Sequence, residues 1–291
     1  MKHPINSPFR YAGGKFYARK LILQYIPDNE SYIEPFAGGA SIFFAKPKVS
    51  RNWLNDIDEA LMNCFIYIRD FPEKLIQGLK GEEATKERHN YYKNIFKPKN
   101  NLERAVRWFY LNRTSYSGIM NMQNCFFGYG DKYSKTPKNW PRTIRETSAK
   151  LQEVKLTSKN FEEVIDESPT GSFLFVDPPY YKADQDKFYT HSFTRKDHLR
   201  LVKVLKKNDR RIKFLLTYDN SNEVKKMYDW VVAILEKEWN YTINRTDDQT
   251  KDKRNGGKGV KRPRYKGQEL FLFNYEVPVQ ERIFKSQFIF A

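Results

Sequence analysis

The stretch Ser172-Phe173-Leu174-Phe175-Val176-Asp177-Pro178-Pro179-Tyr180-Tyr181 runs from apolar residues straight into an acid, two prolines and two aromatics. The Asp177 carboxylate can accept a hydrogen bond from an amino group, and the Pro178 carbonyl can accept a second from the same nitrogen. Two acceptors on one amine form a clamp. The prolines hold that clamp in place beforehand, because each fixes its own φ at about −65° and restricts the residue before it. Tyr180 adds a flat face for stacking, a contact that contributes roughly 1–3 kcal/mol in single-strand binders. A planar base with an exocyclic amine suits this set. The plain alternative is a proline-rich loop after a strand, since short motifs recur by chance.

A second chemical feature lies upstream, in Tyr32-Ile33-Glu34-Pro35-Phe36-Ala37-Gly38-Gly39-Ala40-Ser41. Here another short apolar stretch meets an acid and then glycines. Glycines at such a bend let a ligand approach the backbone closely, and an acid about 20 positions further on commonly meets ribose hydroxyls. Asp56, in Trp53-Leu54-Asn55-Asp56-Ile57-Asp58, fills that place. The glycines lack the GxGxxG spacing, so a smaller nucleoside ligand fits better than a dinucleotide.

Elements must carry these residues to one place. Residues 172–176 suit an interior strand of a parallel sheet, and in open α/β sheets ligands bind just beyond the carboxyl ends of strands. Periodicity predicts helices at 16–26 and 59–69 around strands at 31–35 and 52–55. From about Phe71 the strand pattern stops, and 84–97 and 101–113 read as charged, aromatic-bearing helices. The stripe of Val106, Phe109 and Tyr110 reads as core packing. Gly118 to Tyr133 suggests a hairpin or loop, whose aromatics are better placed to enter a groove. The α/β pattern then returns with a strand at 172–176, a helix at 196–207, a strand at 211–217 and late strands near 230–245 and 268–275. No internal repeat is found.

In the order of its blocks the chain resembles the Dam-like DNA adenine methyltransferases. Phe9-Arg10-Tyr11-Ala12-Gly13-Gly14-Lys15 resembles the family's N-terminal cofactor motif and Glu34 to Ser41 its glycine-containing loop, with Asn55-Asp56-Ile57 and Asp177-Pro178-Pro179-Tyr180 completing the set. Leu111 to Gly118, His191-Ser192-Phe193-Thr194 and Asn255-Gly256-Gly257 also resemble family segments. The resemblance implies an α/β, Rossmann-like S-adenosylmethionine-dependent methyltransferase sheet, formed by residues 1–68 and 152–291. A mainly helical target-recognition domain, 69–151, is inserted in it. It further implies cofactor binding by Tyr11, Lys15, Glu34, Phe36, Gly38, Asp56 and Asp177. Tyr11 stands where a tryptophan is frequent. Asp177, Pro178 and Tyr180 are the implied catalytic set, Arg113 the implied DNA contact, and Tyr116 the implied wedge among the bases. Ser117, Met120, Asn121 and Met122 replace the arginine and asparagine of GATC-reading members, so GATC is not expected here.

Composition agrees with a DNA ligand. A formal charge of +17 and a pI near 9.6 favour polyanions through phosphate contacts and counterion release. Residues 251–266, KDKRNGGKGVKRPRYK, set one acid among eight basic residues. They read as a loop along the duplex carrying Lys258 and Arg262, with a solvated hairpin as the alternative.

The N-terminus lacks a signal-peptide pattern and no apolar run approaches the roughly 20 residues that span a bilayer, so a soluble, cytoplasmic protein is expected. Cys64 and Cys125 form no paired ligand motif, none of His3, His89, His191 and His198 completes one, and no metal is expected. The reaction the resemblance implies is methyl transfer from S-adenosylmethionine, with S-adenosylhomocysteine as product, to N6 of an adenine flipped from double-stranded DNA. The family implies a monomer and a restriction-modification or related DNA-marking role, with a cognate restriction endonuclease as one partner it allows. Three rivals remain. A cytosine-N4 methyltransferase more often has serine at the Asp177 position, and RNA or protein-glutamine methyltransferases more often have asparagine there. A catalytically silent DNA-binding protein could keep the same fold.

Overall fold

Two short apolar strands that end in acids lie side by side at the centre of the molecule. In a computed structural model describing residues 4–11, 13–129, 136–181, 191–240 and 266–277, β1 (Ser31–Glu34) and β4 (Phe173–Val176) are parallel neighbours, buried along their whole length. Tyr32 pairs with Phe173 and Ile33 with Leu174. Successive side chains point to opposite faces, so Tyr32 and Phe173 join one apolar cluster and Ile33 and Leu174 another. A sheet covered on both sides explains why these strands are continuously apolar.

β2 (Arg51–Asn55), β3 (Lys155–Thr157), β5 (Lys213–Asp219), β6 (Ala233–Asn240) and β7 (Lys266–Phe273) complete a seven-stranded sheet in the order β3-β2-β1-β4-β5-β7-β6. The first five run parallel, and β7 is antiparallel to both β5 and β6. The late strand expected at 230–245 is described to Asn240; residues 241–265, with Lys258, Arg262 and the Asn255-Gly256-Gly257 block, lie outside the described residues.

Helices surround the sheet. α1 (Arg19–Leu23) is shorter than the 16–26 expected, and α2 (Ser41–Ala45) follows the glycine loop. α3 (Glu59–Asp70) starts at Asp58, whose carboxylate accepts from the Ala60 and Leu61 amides and so satisfies donors the first turn cannot pair. Between α3 and β3 the described elements are mainly helical: α4 (Pro72–Gly78), α5 (Lys86–Asn90), a π-turn at Tyr91–Ile95, α6 (Asn101–Thr114) and α7 (Trp140–Leu151). The helix expected at 84–97 is thus divided. Val106, Phe109 and Tyr110 are core residues, as their spacing predicts, and Tyr110 stacks on Tyr92 with centroids 4.4 Å apart. A single antiparallel bridge joins Ser115 to Phe127, and the Tyr116 amide donates to the Phe126 carbonyl, so the chain reverses within this segment.

α8 (Phe161–Glu167), α9 (Arg195–Asn208) and α10 (Asn222–Met227) fill the remaining connections, α9 opening on a capping box of Thr194 and Asp197. Several of these elements carry little sequence signal. α2 is five residues with Ile42, Phe43 and Phe44 all buried, which shows no helical period, and β3 is a three-residue edge strand with no apolar run.

Candidate active site

The strand order reverses direction between β1 and β4, and the loops leaving their carboxyl ends diverge there to open a crevice. A cavity of about 470 Å³ fills it, and Tyr11, Lys15, Glu34, Phe36, Gly38, Asp56, Asp177, Pro178 and Tyr180 all line it. Residues expected to serve the cofactor and residues expected to clamp an amine therefore face one space. Its volume lies in the range of small-molecule sites, roughly 300–1,000 Å³.

Asp56 follows β2 and lies across the loop from the glycines. Its Oδ2 accepts from the Gly38 amide at 2.8 Å and its Oδ1 from the Asp58 amide at 3.0 Å. Burial raises its carboxyl to about 6, against the pull of those two amides. Asn55 fixes the surroundings by donating to the Pro35 and Lys159 carbonyls at 3.0 and 2.9 Å, which ties the loops after β1 and β3 together.

The glycine loop wraps an aromatic. Gly38 has φ of +47°, and a Cβ there would fall 2.8 Å from Cε1 of Tyr11. Ala40 is also left-handed, with φ of +51°, a conformation that costs an L-residue roughly 1–2 kcal/mol. Glu34, at the end of β1, is 1% exposed. Its Oε1 accepts from the Tyr32 hydroxyl at 2.7 Å and the Phe43 amide of α2 at 2.8 Å, and burial pushes the group up to about 8.

Phe36 belongs to an aromatic wall. It stacks on Phe161, with centroids 5.3 Å apart, and meets the edge of Phe193 at 5.6 Å. Phe161 was not singled out in the sequence; only the apolar start of α8 marks it.

Lys15 lines the same cavity and is buried beside the clamp. Its ammonium is 2.7 Å from Asp177 Oδ1 and 2.9 Å from Oδ2, and it donates to the Gly13 carbonyl at 3.0 Å. The Thr217 hydroxyl of β5 donates to Asp177 Oδ1 at 2.7 Å. Lys15 also lies 4.8 Å from the centre of the Tyr180 ring. The aspartate is thus oriented from two sides while its turn remains open to the cavity.

The residues expected at DNA divide. Tyr116 is 40% exposed, whereas Arg113 is 5% exposed and donates from Nη1 to the Pro8 carbonyl at 3.1 Å. Arg113 sits in the last turn of α6, where every residue is buried, and burial lowers its guanidinium to about 10 with Arg10 adding repulsion. It supports the N-terminal segment and does not face solvent. Cys64 and Cys125 are buried free thiols. Among the described residues no group of His, Cys, Asp or Glu side chains is arranged to hold a metal ion, and no helix is long and apolar enough to cross a membrane.

Comparison with known proteins accounts for this arrangement. A family model described as D12 class N6 adenine-specific DNA methyltransferase matches residues 11–243. The chain is 28% identical over 241 residues to the type II methyltransferase M1.LlaDCHI of Lactococcus lactis subsp. cremoris, covering 76% of this chain and 84% of that one. It is 27% identical over 245 residues to the type II methyltransferase M.CviBI of Paramecium bursaria Chlorella virus NC1A, covering 81% and 91%. With the DNA adenine methylase of Escherichia coli it shares 25% identity over 206 residues, covering 67% and 73%. The chain belongs to the D12 class of N6 adenine-specific DNA methyltransferases, the family that takes its methyl group from S-adenosylmethionine.

Proposed function

We propose that the chain methylates the N6 amino group of an adenine flipped out of double-stranded DNA at a specific sequence, with residues 1–68 and 152–291 as catalytic domain and 69–151 as target-recognition domain. The observation that carries this reading is that the Asp177-Pro178 clamp and the Gly38–Asp56 loop pair line the same cavity.

The donor set fits the cofactor. Asp56 offers a carboxylate for ribose hydroxyls, the Gly38–Gly39 turn carries no side chain between the backbone and Tyr11, and Phe36 gives an aromatic face for adenine. When bound, S-adenosylmethionine supplies an electrophilic methyl carbon and leaves as S-adenosylhomocysteine. Asp177 and the Pro178 carbonyl would accept from the target amine, turning its lone pair towards the methyl group, and Tyr180 would stack on the base. Extraction of the base costs a few kcal/mol, offset by these contacts. Acceleration would come from alignment and fixed dipoles, with no covalent enzyme intermediate.

Tyr116, exposed beside the Ser115–Phe127 bridge, would support the opened stack, and Lys258 and Arg262 would contact phosphates. Action as a monomer in the cytoplasm, within a restriction-modification or related marking system, is the setting proposed. A cognate endonuclease is one partner that setting allows.

Transfer of labelled methyl groups to plasmid DNA, with mass spectrometry of the digested nucleosides, tests the reading. Wild type should yield N6-methyladenine at one recurring sequence, and Asp177→Ala should lose turnover while keeping DNA affinity. Methylcytosine as product, or undiminished activity in Asp177→Ala, would refute it.

A further inference from the structure

Glu269 is an acid that immediately precedes the apolar run of β7. Leu270, Phe271, Leu272 and Phe273 after it are all buried, and Glu269 itself is 1% exposed. It stands opposite Asp219 in the β5–β7 ladder. Among the described residues its ion pair is to Lys15, with Oε2 4.0 Å from Nζ. A carboxylate buried this deeply is costly unless a cation compensates it. Burial raises Glu269 to about 8, and Lys15 opposes that shift while Asp177 and Asp219 add to it. Tyr180 also draws it down.

The geometry at Asp177 shows what such a group would do. Lys15 lies within 2.9 Å of both Asp177 oxygens, and Thr217 donates to one of them. An ammonium has three protons to donate, and the Gly13 carbonyl takes one. Each Asp177 oxygen can accept two hydrogen bonds; Oδ1 already faces Lys15 and Thr217, so an incoming amine has to share Oδ2 with Lys15 or displace it. Left without another counter-ion in this buried position, it would resist that move.

We propose that Glu269 is a positioning residue that holds Lys15 as a second counter-ion, so that the ammonium can shift off one Asp177 oxygen when the target amine arrives. This rests on the reading of Asp177 as the amine clamp. Glu269 touches neither base nor cofactor in this role. It governs how much of Asp177 is free.

The test compares wild type, Glu269→Gln and Glu269→Asp in single-turnover methylation of plasmid DNA above pH of about 8, where Glu269 carries its charge, with S-adenosylmethionine affinity measured by calorimetry and folding by thermal melting. Glutamine keeps the shape without the charge and should slow transfer about tenfold, leaving cofactor and DNA affinities within about twofold. Aspartate keeps the charge and should be faster than glutamine. A glutamine variant that transfers at the wild-type rate would overturn the inference, as would a loss confined to cofactor affinity. So would an aspartate variant no faster than glutamine. Should glutamine fail to fold, the inference stands or falls on aspartate alone: a folded aspartate variant with measurable transfer and unchanged affinities supports it, and one with none overturns it. Wild type inactive on DNA would overturn the clamp reading and this inference together, whereas active wild type with an equally active glutamine variant overturns this inference alone.

Discussion

Asn112 grips both backbone polar groups of Arg10: its Oδ1 accepts from the Arg10 amide at 3.1 Å and its Nδ2 donates to the Arg10 carbonyl at 2.7 Å. Asn112 is completely buried near the end of α6. Gly118, with φ of +73°, packs so close to the same carbonyl that a Cβ would collide with it. Arg113 completes the attachment through Pro8. The helix that leads into Tyr116 is thereby fastened to the strand of chain that carries Tyr11 and Lys15 into the cavity. The segment that presents Tyr116 and the position of Lys15 share one mechanical link.

Removing that link should affect chemistry at a distance. Asn112→Ala removes the side chain that bonds the Arg10 amide and carbonyl, and an unsatisfied buried group costs about 1–3 kcal/mol. The expected outcome is a lower melting temperature together with a fall in methyl transfer larger than the fall in DNA affinity. Differential scanning fluorimetry and single-turnover kinetics on the same preparation check both.

The glycine loop gives a sharper prediction. At Gly38 a side chain meets both a left-handed backbone and the Tyr11 ring 2.8 Å from the new Cβ. Gly38→Ala should therefore weaken S-adenosylmethionine binding by about tenfold or more, through roughly 1–2 kcal/mol of backbone strain and displacement of the ring. Gly171→Ala serves as the control. That glycine is also left-handed, with φ of +82°, but nothing lies within 4 Å of its Cβ position, so it should lose stability and keep cofactor affinity. Calorimetric titration of both variants separates the two effects.

The legible part of this site follows two rules, and the illegible part breaks them. Glu34 and Asp177 stand out because each closes a short apolar run, where a parallel sheet opens to ligand, and Asp56 because it falls about 20 positions beyond the glycines. Glu269 gives no such signal. It begins the apolar part of β7, and only the antiparallel pairing with β5 turns it towards Lys15. Thr217 is hidden in the same way, inside the buried run of β5. Arg113, the DNA contact the resemblance implies, is buried at the end of α6, a position set by its bond to Pro8, 105 residues away in sequence. The positions of the central strands were readable from hydrophobic runs. α2, β3 and α8 were not, since each is too short to show a period, and tertiary packing decides their conformation.

Asp56 offers a prediction about acidity. Burial raises its carboxyl from the ordinary 3.8 to about 6, so the folded protein holds this proton more tightly than the unfolded chain does. Its contribution to stability is therefore complete below the unfolded value and is lost as pH rises through about 6. A ligand that donates hydroxyl protons to the carboxylate favours the ionised form and reverses that preference. S-adenosylmethionine should bind weakly below pH of about 6, tighten as pH rises through it and release a proton on binding at the lower end. Asp58 and His191 also act on the Asp56 charge, so the decisive comparison is Asp56→Asn. Asparagine should bind the cofactor less tightly at high pH and show a flat profile across this window. Calorimetry in two buffers of different ionisation enthalpy would count the proton directly, and an unchanged slope in the asparagine variant would assign the titration to another group.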